Sequence, residues 1–150
     1  MAEIQTAHLM TLTLTVGARQ VIGATPNGSR RVGLLAGGTF DGERLRGSVL
    51  PGGADWTVAR PDGATTADVR LVLETDDKAL IAMTYRGIGP SDVIERLSRG
   101  DAVDPTAYYF RTSIAFETAS TKYDWLNRII AVGTGRRPPE GVVYEIFEVL

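Results

Sequence analysis

Apolar residues recur at every second position through much of the chain, and this period of two constrains the fold more than any other feature. Met10, Leu12, Leu14 and Val16 alternate with Thr11, Thr13 and Thr15, which gives a strand with one apolar face and one β-branched polar face. Val69, Leu71 and Leu73 alternate with Asp68, Arg70, Val72 and Glu74, and Ile81, Met83 and Tyr85 alternate with Leu80, Ala82, Thr84 and Arg86. The polar tetrapeptide Thr75-Asp76-Asp77-Lys78 between them has hairpin length, so these two segments form an antiparallel pair. Further strands are expected at Arg30 to Leu35, Gly38 to Phe40, Arg44 to Leu50, Asp55 to Ala59, Tyr108 to Thr118, Arg128 to Val132 and Val142 to Val149. Glycine and proline punctuate them, as in Pro51-Gly52-Gly53, Pro61-Asp62-Gly63 and Pro138-Pro139-Glu140-Gly141. Asn27-Gly28 reads as the tip of a tight hairpin.

Only one stretch reads as an α-helix. Asp92 as N-cap, Glu95 three residues on, an apolar side of Val93, Ile94 and Leu97, and a stop at Gly100 predict about two turns. A second short helical turn is expected at Tyr123 to Asn127. Many short strands with so little helix predict an all-β fold, an antiparallel barrel or a sandwich, in one domain spanning residues 1–150. Lysine occurs only at Lys78 and Lys122 among 16 basic residues. Arginine, the cation suited to buried or bidentate carboxylate pairs, supplies the rest, and this tilts the choice toward a barrel with a polar interior.

Composition narrows the chemistry. There is no cysteine and one histidine, His8, which removes thiolate nucleophiles, disulfides and cysteine or histidine-rich metal sites. His8 is expected at a strand edge. A net charge of -2 supplies no field for a nucleic-acid backbone. Neither a secretory leader nor an apolar run of membrane-spanning length is present, so a cytoplasmic location and no membrane partner are expected. Gly133-Thr134-Gly135 opens onto Arg136-Arg137-Pro138-Pro139 rather than a helix, and no Gly-Lys-Ser/Thr loop or Gly-x-Ser-x-Gly elbow occurs. Nucleotide binding and serine-hydrolase chemistry therefore lack their motifs, and no metal or cofactor is expected.

What remains are carboxylates, arginines and aromatics. In Gly47 to Trp56 a proline and two glycines make a bend where the chain can approach a ligand, after which Asp55 and Trp56 enter a strand. Apolar surroundings would raise the Asp55 pKa toward the range of a general acid or base, whereas a purely structural role would have Asp55 cap the turn and Trp56 join the core. Between Tyr108 and Thr118, alternation puts Tyr109, Arg111, Ser113, Ala115 and Glu117 on one face, which would hold a small polar ligand if it looked into a cavity. The alternative is an ion pair with neighbours such as Asp68 or Arg70. Trp125 and Asn127 form either a lid or an aromatic plug, and Tyr85 and Tyr144 are expected in the core.

A run of residues now resembles a known family. Gly38-Thr39-Phe40-x-Gly42-x-x-Leu45-x-Gly47-x-Val49-Leu50-Pro51-Gly52-Gly53-Ala54-Asp55-Trp56 is followed by Arg60-x-Asp62-Gly63, Asp68-x-Arg70, Tyr109-Phe110-Arg111-Thr112, Phe116-Glu117-Thr118, Tyr123-x-Trp125-Leu126-Asn127 and Val132-Gly133. Together these are similar to the domain-of-unknown-function 3237 family over nearly the whole chain. The resemblance implies a small antiparallel β-barrel in the style of allene oxide cyclase and the lipocalins, with homo-oligomers common. It singles out Asp55, Trp56, Arg60, Asp62, Arg70, Arg111, Glu117, Trp125 and Asn127. The expectation is a small-molecule-binding barrel. In the enzyme reading, Asp55 or Glu117 is the acid/base of a lyase or isomerase, Arg70 and Arg111 hold an oxyanion or carbonyl, and Trp56 and Trp125 line an apolar wall, with Arg60, Asp62 and Asn127 as further binding positions. A carrier without turnover and a purely structural barrel are the alternatives, and they separate on whether Asp55, Arg70, Arg111 and Glu117 converge on one cavity.

Overall fold

The computed structural model describes residues 2–139 and 141–150. Nine strands follow the chain: β1 (Thr6–Thr25), β2 (Gly28–Asp41), β3 (Arg46–Val49), β4 (Ala54–Ala59), β5 (Ala64–Thr75), β6 (Leu80–Pro90), β7 (Arg111–Thr118), β8 (Ala131–Arg136) and β9 (Gly141–Val149). All neighbours are antiparallel, in the order β1-β9-β8-β7-β6-β5-β3-β2, and pairing of β1 with β2 closes the ring. A closed sheet leaves its inner face dry, which is where the alternating apolar residues go.

The ring is uneven. β3 and β4 share one place in it end to end: β3 lies between Gly38–Asp41 of β2 and Gly47's partner Thr75 on β5, and β4 lies between Ser29–Leu34 and Thr65–Arg70. The bend at Leu50 to Gly53 joins them, held by Leu50 N–H donating to Val72 O at 2.9 Å and Leu35 N–H donating to Gly53 O at 2.9 Å. β1 is far longer than the alternation from Met10 to Val16 indicates, because register shifts near Val16 and Val21 interrupt the pattern without ending the strand. Beyond Thr15 it pairs with β2 alone, and the hairpin turns at Asn27 as expected.

Leu12, Leu14, Phe40, Leu73, Ile81, Met83, Phe116 and Ile146 fill most of the interior. One end is covered by the helix α1 (Ser91–Ser98), whose Ile94 and Leu97 are buried. The expected cap is corrected: the helix starts at Ser91 behind Pro90, which makes no side-chain cap bond, and Asp92 lies in the first turn. There its charge still favours the positive end of the helix dipole. Gly100, at φ 88°, ends the segment as the sequence indicated. The second helical turn is a 3-10 turn over Asp124–Arg128. No helix among the described residues is long and apolar enough to cross a membrane.

Candidate active site

Strand alternation on β4 sends Asp55 and Thr57 into the barrel and Trp56 out. On β5 and β6 the inner positions nearest that end are Thr65, Ala67, Gly87 and Gly89: Thr57 pairs with Ala67 and Ala67 with Gly87, while Asp55 pairs with Val69 and Val69 with Tyr85. Small residues here leave room that leucine and phenylalanine occupy elsewhere. The result is two connected chambers of about 20 and 30 Å³, each large enough for one or two waters. Both are walled by Asp55, Thr57, Thr65, Ile94 and Arg137. The first continues toward Gly87, Phe110 and Tyr144, and the second toward Val16, Arg19, Arg31 and Ser98. A hydrogen bond of 2.8 Å between the Thr65 and Ser91 hydroxyls ties the start of α1 to this wall.

Asp55 is the central group. Its Oδ1 is closed to solvent and has no hydrogen-bond partner among the described residues. Burial raises its pKa to about 6, against the opposing attraction of Arg137 and Arg19. Two phenols lie deeper: the Tyr85 and Tyr144 rings meet edge to face at 5.2 Å. Burial lifts both phenol pKa values above the usual range, and the Asp55 charge adds to the effect, so both stay neutral donors. The Tyr85 hydroxyl also lacks a partner among the described residues. Arg137 is half-buried, and burial followed by repulsion from Arg19 lowers its pKa. The arrangement thus sets a carboxyl that changes protonation near neutral pH beside a guanidinium and two neutral phenols.

The remaining sequence-predicted residues do not converge on this cavity. Glu117 and Arg111 face outward because Thr112, Ile114 and Phe116 take the inner positions of β7. Arg70 is outward for the same reason, between the inward Val69 and Leu71. Arg70 and Glu117 flank an open outer groove of about 650 Å³ beside Leu50 to Gly53. Trp56, Arg60 and Arg111 line another outer groove, of about 710 Å³. Trp56 is 48% exposed, so it neither lines the cavity nor packs in the core. The raised Asp55 pKa therefore owes nothing to an indole wall.

Asp62 accepts from Arg60 and from Ala64 N–H, fixing the turn before β5, and the guanidinium holds its carboxyl down at about 2. Asn127 clasps Thr118, accepting from its N–H at 2.8 Å and donating to its carbonyl at 3.0 Å. Trp125 packs partly against the core under the Arg44 guanidinium, 4.0 Å from the ring centre. His8 lies on the outer face, 2.8 Å from Glu145. Sequence reasoning missed Arg19, Arg31, Thr57 and Arg137, and placed Tyr85 and Tyr144 in the core without a role. The inward row Thr57, Ala67, Gly87 was the available signal, since its residues are small or polar where Leu71, Leu73, Ile81 and Met83 fill the interior further along.

The sequence pattern of the family described as "Protein of unknown function (DUF3237)" matches residues 4–149. The chain belongs to this family. Within DUF3237 it is 36% identical over 149 residues to UPF0311 protein RPA1785 of Rhodopseudomonas palustris, covering 98% of this chain and 97% of that one. The crystal structure of RPA1785 matches with a TM-score of 0.93 at 35% identity and covers 100% of both chains. The crystal structure of a beta-barrel like protein from Acinetobacter baumannii matches with a TM-score of 0.85 at 37% identity, covering 99% of this chain and 98% of the other. Similarity extends to the Hydroalkoxylation enzyme phnH of Penicillium herquei, 26% identical over 126 residues, 84% of this chain and 70% of that enzyme. The DUF3237 barrel anticipated from the motifs is thus the observed fold.

Proposed function

We propose that the Asp55 end of the barrel is an acid/base site that adds an oxygen nucleophile across a carbon–carbon double bond of a small organic molecule, or catalyses the reverse elimination. One observation carries the reading: a carboxyl buried in the lumen, unpaired at Oδ1, with a pKa of about 6. Such a group is populated in both protonation states near neutral pH, the condition for giving and regaining a proton in one cycle. The name of the phnH relative, a hydroalkoxylation enzyme, supports the same reaction class.

In the forward direction protonated Asp55 gives its proton to one alkene carbon as the O–H oxygen of the substrate bonds to the other. The carboxylate left behind takes the proton released from that oxygen, so the site returns to its starting state. Tyr85 and Tyr144 stay neutral and serve as hydrogen-bond donors to oxygen where charge develops. Because the chambers hold only a few atoms, a larger substrate reaches Asp55 by displacement of α1, which covers them with Ile94.

The test is a panel of small alkenyl phenols and unsaturated alcohols incubated in D2O, with deuterium at the alkene carbon as the readout. The wild-type protein is expected to incorporate deuterium, and Asp55→Asn to lose the rate by about 10²–10⁴-fold with its fold intact. Unchanged incorporation in Asp55→Asn overturns the assignment. Binding without incorporation across the panel makes the barrel a carrier.

A further inference from the structure

The second chamber has an excess of positive charge. Arg19 of β1, Arg31 of β2 and Arg137 from the segment after β8 line it with a single carboxylate, that of Asp55. The strand register explains how they meet: Gly33 pairs with Arg19 on one side and with Asp55 on the other, and Arg31 pairs with Thr57. Gly33 itself contributes no side chain, and a Cβ there would lie 3.8 Å from the Asp55 Cβ and 3.3 Å from Val16. Glycine at this position keeps the strands close, because any side chain there would crowd Val16.

Among the described residues, none of these three arginines has a carboxylate within 4.0 Å, as is also true of Arg30, Arg70, Arg86, Arg111 and Arg136, whereas Arg44, Arg46, Arg60, Arg96, Arg99 and Arg128 each do; what sets the three apart is that they line one chamber. A chain with 18 acidic residues against 16 basic ones does not lack carboxylates to pair with them. Arg19 is exposed and Arg31 and Arg137 are half-buried, so solvent screens part of their mutual repulsion, and an anion seated among them would offset the rest. Asp55 supplies at most one negative charge against three positive ones.

We infer that the molecule taken by this site is a small unsaturated carboxylate, its carboxylate held among Arg137, Arg19 and Arg31 and its carbon skeleton lying past Asp55 toward Tyr144 and Phe110. This rests on the acid/base reading of Asp55. The planar guanidinium fork matches a carboxylate in two parallel hydrogen bonds, and the chamber of about 30 Å³ among these arginines admits only a small anionic group. The first chamber then supplies the apolar wall: Phe110 and Tyr144 meet edge to face at 5.8 Å, and Gly89 lies under Ile94 of α1, so a skeleton of more than a few atoms enters only when α1 is displaced.

Calorimetric titration of the full chain with acetate, crotonate, benzoate and cinnamate, each beside its neutral amide, tests the inference. At least one acid is expected to bind about tenfold or more tightly than its amide, with the preference lost in Arg137→Gln. Equal affinity for acid and amide, no binding by any acid of the panel, or an unchanged preference in Arg137→Gln overturns it. The acid-to-amide ratio is read on the wild-type protein, so the test stands even where Arg137→Gln fails to fold. The two readings fail separately. Charge-selective binding without deuterium exchange removes the acid/base role and leaves the anion site, whereas turnover of neutral alkenols with no preference for acids does the reverse.

Discussion

Asp55 couples the chemistry of the lumen to the stability of the barrel. Its folded pKa of about 6 lies above the ordinary carboxylate value of 3.8, so the folded protein holds this proton more tightly than the unfolded chain. The contribution is fully present below about pH 4 and is lost as pH rises through about 6, on the order of 3 kcal/mol in all. Asp55→Asn is expected to remove that slope, gaining stability relative to wild type between about pH 4 and about pH 8. Urea unfolding of both proteins across this range checks it, and parallel curves contradict it. Asp62 and Asp77 move the opposite way, held low by Arg60 and Lys122, but they are common to both proteins and cancel. The sequence singled out Asp55 by the glycine and proline bend before it but left a raised pKa and a turn cap as alternatives; its position in the lumen, with burial raising its pKa, agrees with the first. Arg70, Arg111 and Glu117 were misjudged on sidedness: Ile114 and Phe116 claim the interior, which leaves their polar neighbours no inward position. Arg137 was not legible, since it follows β8 in a segment with no period at all and reaches the lumen only because the ring closes there.

At the scale of elements, the sharing of one ring position by β3 and β4 depends on close backbone approach. A Cβ at Gly47 would stand 2.0 Å from Glu74 O on β5, whereas a Cβ at Gly52, in the bend at φ 111°, meets nothing within 4 Å. Gly47→Ala is therefore expected to cost about 1–3 kcal/mol or more through displacement of β3. Gly52→Ala carries only the left-handed backbone penalty of about 1–2 kcal/mol. Denaturant midpoints of the two variants give the ranking, and a smaller effect at Gly47 contradicts the packing argument. Hairpins with local signals were read correctly, as at Thr75 to Lys78, where Asp77 accepts from Thr75, Lys122 and Tyr123. Long β1 was read short, because bulges near Val16 and Val21 disturb the alternation that reveals a strand. α1 starts two residues earlier than expected, with Pro90 rather than Asp92 at the cap position, and Ser91 spends its hydroxyl on Thr65 of β5, a contact that spacing along the chain does not encode.

For the whole molecule, closure is the decisive property, and alternation alone left it undecided between a barrel and a sandwich. The tilt toward a barrel came from arginine as the cation of buried carboxylate pairs, and that reason is not the one at work: the arginines that pair with carboxylates, such as Arg44 and Arg60, lie on the outside, whereas those at the lumen end have no carboxylate within 4.0 Å among the described residues. Closure also brings the two ends of the chain together: Thr6 pairs with Val149, and Leu150 N–H donates to Gln5 O at 2.9 Å. A permuted chain in which a short glycine and serine linker joins Leu150 to Ile4, opened instead between Asn27 and Gly28 at an exposed hairpin tip, is expected to form the same barrel. Far-ultraviolet circular dichroism should match that of the parent, with a melting midpoint within several degrees of it, and an unfolded permutant would contradict this. A cycle of pairings has no first strand, so the order in which these segments are synthesised is a property of the gene and not of the barrel.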